Sequence, residues 1–166
     1  MISYESTITI ARPPAEVFAM IVEPERMDEW TGMSGSRWLT PIPHGAGSRF
    51  ASTMPLGPFR RTVEWEIIEH QPNRIFSART LAGGPIDWTG VYQLEPAGAG
   101  TVVKSRGEVR PNGLLRLLEP LMRAELPREE ATELERLKEI VEREGTDSSP
   151  AATSDPIRSG GWTDAG

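Results

Sequence analysis

Residues 113–143, from Gly113-Leu114-Leu115 to Glu142-Arg143, constrain the fold of this chain more than any other stretch. Leu134, Leu137 and Val141 recur at helical spacing, and Leu114, Leu118, Leu121 and Met122 carry an apolar face up to them. One helix over the whole stretch would be roughly 45 Å long at ~1.5 Å per residue. Two prolines fall inside the pattern, Pro120 and Pro127, and a proline within a helix deletes a hydrogen bond and crowds the preceding turn. The expected form is a short helical piece over 113–119 and a main helix from about residue 121, kinked or restarted at Pro127, with Glu129 and Glu130 in its first turn. The polar face carries more Glu than Lys or Arg, which suits a core helix better than one lying on an anionic membrane.

What precedes the helix reads mostly as strand. Residues 2–10 alternate, with Ile2, Tyr4, Ile8 and Ile10 on one face. Arg12-Pro13-Pro14 ends that strand, and Pro14 opens a short helix carrying Val17, Phe18 and Ile21. Pro24 opens another, as far as Trp30, and residues 31–35 read as a loop. Six further strands are expected over 36–40, 47–54, 59–69, 74–81, 86–95 and 101–110, separated by turns at 41–46, 55–58, 70–73, 82–85 and 96–100. Short turns between successive strands make antiparallel neighbours. The expected fold is therefore α+β: a curved seven-stranded antiparallel sheet, two short helices after the first strand, and a long C-terminal helix. One helix cannot fill the concave face of strands ~30 Å long at ~3.3 Å per residue. Gly90, Ser105 and Gly107 leave that face smaller still, so a cavity between sheet and helix is expected.

The order of motifs resembles the helix-grip superfamily of the START and Bet v 1 type, in particular the bacterial polyketide cyclase/dehydrase and lipid-transport family. The matching pieces begin with Ile10–Phe18, Glu23-Pro24-Glu25-Arg26-Met27-Asp28-Glu29-Trp30 and Gly45-Ala46-Gly47-Ser48-Arg49-Phe50. Trp65-Glu66-Ile67-Ile68-Glu69, Gln71-Pro72-Asn73-Arg74, Tyr92-Gln93-Leu94-Glu95-Pro96, Gly100-Thr101 and Leu137-Lys138 follow in order. The resemblance covers roughly residues 1–143. It implies a helix-grip domain over 1–144 that holds a small hydrophobic ligand (a lipid, polyketide or aromatic molecule). Two other activities occur in the superfamily, a cyclase or dehydratase-type enzyme and a protein-interaction module of the chaperone-activator type.

Composition narrows the alternatives. The chain has 166 residues and a net charge of −6, which speaks against a nucleic-acid partner. It has no cysteine, hence no disulfide framework and no cysteine metal site. No signal peptide or membrane-spanning run is recognisable, and a cytoplasmic protein without stable membrane insertion is expected. Residues 145–166 are rich in Gly, Ser, Thr, Asp, Ala and Pro and read as a disordered tail.

The candidate site follows from strand parity. Phe50, Met54, Trp65, Phe76, Trp88 and Tyr92 fall on inward faces, Ser105 adds a hydroxyl, and Leu118 and Met122 complete a ligand-binding set from the helical side. Turns 55–58 and 82–85 and the link 110–113 share one end of the sheet, so the mouth is expected there, with Leu56, Gly83 and Gly84 as gate residues. His44 and His70 lie in turns and read as inert, and Glu64 and Glu66 face solvent by alternation. No metal motif, phosphate loop or GxSxG elbow occurs, so neither metal nor cofactor is expected and no catalytic residue is assigned. An enzyme needs an acid or base inside the pocket, and on the inward faces only Tyr92 and Ser105 offer one.

Overall fold

The computed structural model describes residues 1–148, which form an α+β helix-grip domain. The elements are β1 (Ile2–Ile10), α1 (Pro14–Val22), α2 (Pro24–Trp30), β2 (Ser34–Trp38), β3 (Arg49–Leu56), β4 (Phe59–Gln71), β5 (Ile75–Thr80), β6 (Ile86–Ala97), β7 (Gly100–Pro111), a 3-10 segment (Gly113–Leu118) and α3 (Glu119–Asp147). The sheet runs β1-β7-β6-β5-β4-β3-β2, with every neighbour antiparallel. β1 and β2 are its two edges, and α1 and α2 carry the chain from one to the other. Pro14 and Pro24 occupy first-turn positions, where the missing N–H is no loss.

β4, β6 and β7 are longer than the sequence suggests, β3 is shifted by two residues, and β5 is shorter. Turning is concentrated in left-handed residues: Gly57 at φ 63°, Asn73 at 61° and Gly98 at 59°. β3 therefore continues through Pro55 and Leu56, β4 through His70 and Gln71, and β6 through Pro96 and Ala97. Pro55 is tolerated because β2 ends its pairing at Thr53, leaving the far side of β3 a free edge there. β2 begins two residues earlier than expected, at Ser34.

The largest correction concerns the long helix. Pro127 does not restart it: α3 is one helix of 29 residues. Pro127 is exposed, so the Arg123 carbonyl that loses its partner lies on the solvent side, where water can serve it. The 3-10 segment stands where the short helical piece is expected. α3 also passes the expected boundary at 144 and continues to Asp147, with Gly145 buried beside Arg12. The remainder of the expected tail, residues 149–166, lies outside the described residues.

α3 is fastened along β1 by polar contacts: Lys138 Nζ donates to the Thr9 carbonyl at 3.0 Å, and the Ala11 amide donates to Glu142 at 2.8 Å. Its buried stripe is Leu126, Glu130, Leu134, Leu137, Val141 and Gly145. Leu134, Leu137 and Val141 join Ile2, Ile10, Val17, Ile21 and Val103 in the main core. This part of the core thus lies beneath the C-terminal half of α3.

Candidate functional site

Under the N-terminal half of α3 the packing gives way to a cavity of about 550 Å³. Its floor is the sheet. Alternation aims Phe50 and Met54 of β3, Trp65 of β4, Phe76 of β5, Trp88 and Tyr92 of β6 and Ser105 of β7 into the same space. Register explains their proximity: Phe50 pairs with Trp65, Phe76 with Tyr92, and Tyr92 with Ser105. Leu118 and Met122 close over them from the helical side.

The rings form a connected wall. Phe50 stacks parallel to Trp65 at 5.9 Å, Trp65 meets Trp88 at 6.0 Å, and Trp88 meets the edge of Tyr4 at 6.1 Å. The polar handles are occupied within the wall. Trp65 Nε1 donates to Ser52 Oγ at 2.8 Å, and Trp88 Nε1 donates to the Tyr4 hydroxyl at 3.0 Å. Tyr4 needs Gly107 opposite it, since a Cβ there would stand 2.2 Å from the tyrosine ring.

The candidate set omits Tyr4, although alternation in β1 places it with Ile2 and Ile10, and strand parity does not reach Met27, Trp30, the segment 31–33 or the glutamates of α3, which also line the cavity. Glu130 is 4% exposed and accepts a short hydrogen bond from Ser105 Oγ. Glu133, one turn further and half-buried, accepts from the Gly32 amide at 2.7 Å. The inward face therefore does hold acidic groups, contrary to the sequence reading. The signal is present in the sequence: Glu130 interrupts the stripe Leu126, Leu134, Leu137, Val141 at the spacing of its buried members.

Burial disfavours a charge on either carboxyl. It raises Glu130, against the opposing donation from Ser105. It pushes Glu133 up to about 7, reinforced by the negative charges of Glu130 and Glu129 and resisted by the Gly32 amide. Tyr4 and Tyr92 are raised by burial first and Glu130 second, so both phenols stay protonated. The cavity thus combines an apolar aromatic floor with two carboxyl groups whose burial favours the protonated form. Among the described residues no cluster of His, Asp or Glu is placed to hold a metal ion.

The mouth lies where lining residues reach solvent: Gly32, Pro55 and Gly57 on one side, Leu121 and Glu125 on the other. Leu56 lines the cavity but is only 4% exposed, an inward strand residue and not a loop tip. Gly57 brings its turn so close to Leu118 that a Cβ would stand 2.9 Å from Leu118 Cδ1. The structure does not bring Gly83 and Gly84 to this opening. Asn112 clips their turn to the end of β7, its side-chain amide donating to the Gly84 carbonyl and its backbone amide to that of Pro85. The histidines serve packing: His44 stacks on Trp38 at 3.6 Å, and His70 meets Phe18 edge-on.

The family model for polyketide cyclase/dehydrase and lipid transport matches residues 1–142. Among solved structures, protein TTHA0849 of Thermus thermophilus superposes with a TM-score of 0.72 at 17% identity, over 89% of this chain and 99% of its own. The Zhui aromatase/cyclase of Streptomyces sp. R1128 gives 0.69 at 16% identity, over 86% and 94%. Ara h 8.0201 gives 0.62 at 14% identity, over 84% and 96%. At these identities the likeness concerns the fold. No curated protein matches the sequence.

Proposed function

The chain belongs to the polyketide cyclase/dehydrase and lipid transport family, and we propose that it binds one small hydrophobic molecule between its sheet and the N-terminal half of α3. The observation that carries this reading is the cavity of about 550 Å³ walled by aromatic rings, a volume within the ~300–1,000 Å³ usual for ligand sites. Phe50, Met54, Trp65, Phe76, Trp88 and Tyr92 would take the apolar body, with Ser105 at the polar end and Leu118 and Met122 as cover. Leu56 would limit the way in beside the mouth. A packed interior would have favoured an interaction module.

The test is native mass spectrometry of the purified full chain, followed by extraction. A stoichiometric apolar molecule, or saturable displacement of a hydrophobic dye, supports the reading. A protein that carries nothing and binds no dye overturns it.

Glu130 and Glu133 favour a second reading, a cyclase or dehydratase-type enzyme. A carboxyl poised near neutral pH can take a proton from a carbon beside a carbonyl and return it to a departing hydroxyl. Turnover of a poly-β-ketone substrate that is lost in Glu133→Gln, with dye binding kept, would establish it. Binding without turnover leaves the carrier.

A further inference from the structure

We propose that the ligand of this cavity is a hydrophobic amine, an apolar body with one protonated nitrogen seated against Glu130 and Glu133. The inference rests on the binding reading above and narrows its chemistry. Three features converge on it.

First, the charge inside the site has one sign. The lining contains four glutamates, Glu125, Glu129, Glu130 and Glu133, against two arginines, Arg128 and Arg136, and both arginines are exposed. No basic side chain lies in the enclosed part, so a carboxylate or phosphate ligand would find no cation to pair with there.

Second, both carboxyl groups are supplied as acceptors and lack a cation. The protein bonds they make come from donors, Ser105 Oγ–H and the Gly32 amide. Among the described residues Glu130 Oε2 takes no hydrogen bond and opens onto the cavity, since no enclosed side-chain oxygen lacks a partner, and neither glutamate forms an ion pair. A buried acid left in this state is stabilised by whatever brings it a positive charge.

Third, the neighbouring rings suit a cation. Tyr92 pairs across the sheet with Ser105, the donor to Glu130, and Trp30 meets Tyr92 edge-on at 5.9 Å. An ammonium beside the carboxyls lies within reach of electron-rich ring faces while its apolar remainder packs against Trp65 and Phe76. Tyr4 and Tyr92 stay neutral and do not compete for the charge.

The experiment uses the full chain and three probes of one shape: 2-(2-naphthyl)ethylamine, 2-(2-naphthyl)ethanol and 2-naphthylacetate, titrated by calorimetry. The amine is expected to bind about tenfold or more tighter than the alcohol, the increment of one desolvated cation contact, and the acid weakest. Glu130→Gln and Glu133→Gln keep the side-chain size, and thermal unfolding checks that each folds. In these variants the preference for the amine over the alcohol should collapse. In the unsubstituted protein, pairing requires the ionised carboxyl, so affinity for the amine should rise from pH 6 to 8 while that for the alcohol does not. An alcohol that binds as well as the amine, or an amine preference that survives both substitutions and is flat with pH, overturns the proposal and leaves the cavity reading standing. If none of the three binds, the cavity reading itself fails and the proposal falls with it.

Discussion

On the sheet side of the cavity the side chains are aromatic and tied to one another; on the helix side they are leucine, methionine and glutamate, tied to little. Trp65 and Trp88 both spend their N–H groups inside the wall, on Ser52 and Tyr4. Glu130 and Glu133 keep acceptor capacity facing the space between, with burial opposing their charge. The sheet wall gives shape and stability, and the helix wall places carboxyl groups at the cavity at some cost in stability. The division resembles that of an enzyme scaffold and its site, made here from two faces of one small domain.

The sharpest way to break this comparison is Trp65→Ala. Trp65 is 5% exposed and stacked on Phe50, and its removal should destabilise the fold by ~3–5 kcal/mol in urea unfolding. A loss below ~1 kcal/mol would mean that the sheet wall lines the site without supporting the fold.

The helix wall should show the opposite behaviour, through pH. A carboxyl raised from 4.5 to about 7 on folding binds more protons in the native state than in the unfolded one. Its contribution to stability is therefore full below the unfolded value and is lost as pH rises through the folded one. Glu130 is raised as well and acts in the same direction. Glu16, Glu119 and Glu142, lowered by Arg12, the N-terminal amine and Lys138, act below 4.5, where their stabilisation is lost as pH falls. Between pH 5 and 8 the domain should lose ~1–3 kcal/mol, allowing for the partial exposure of Glu133. Glu133→Gln should flatten most of that slope. A wild-type stability that is level over this range would show the carboxyls to be well solvated.

Two smaller changes refine the contrast. Trp88→Phe keeps most of the ring but removes the donor to Tyr4, and should cost ~1 kcal/mol by thermal unfolding. Leu121→Ser, on a side chain 56% exposed at the mouth, should change stability by no more than ~0.5 kcal/mol while altering the rate of dye uptake in stopped flow. An effect on stability instead of uptake would place Leu121 in the core of the helix interface.

The same contrast explains what can be read from sequence. A strand has a period of two, so identifying Trp65, Trp88 and Tyr92 as inward needs only the strands themselves, and boundary errors of two residues do no harm. A helix presents a continuum of directions, and a glutamate on its buried stripe looks like one on its surface unless the stripe is drawn first. Glu130 therefore escapes the sequence reading although its spacing from Leu126 and Leu134 is in plain view. The mouth is misplaced for another reason. Parity assigns turns to an end of the sheet, but it does not tell which of them is clipped away, as Asn112 clips the turn containing Gly83 and Gly84.

Pro127 divides α3 without bending its role in the fold. Before it the helix has one buried residue, Leu126; after it come Glu130, Leu134, Leu137, Val141 and Gly145. The ladder of amide bonds is missing its rung at the boundary, and the portion before it, with one buried residue, has the fewer contacts to hold it against local unfolding. On the proposed binding reading, entry of a ligand would need only the first two turns of this helix to open, and not the domain.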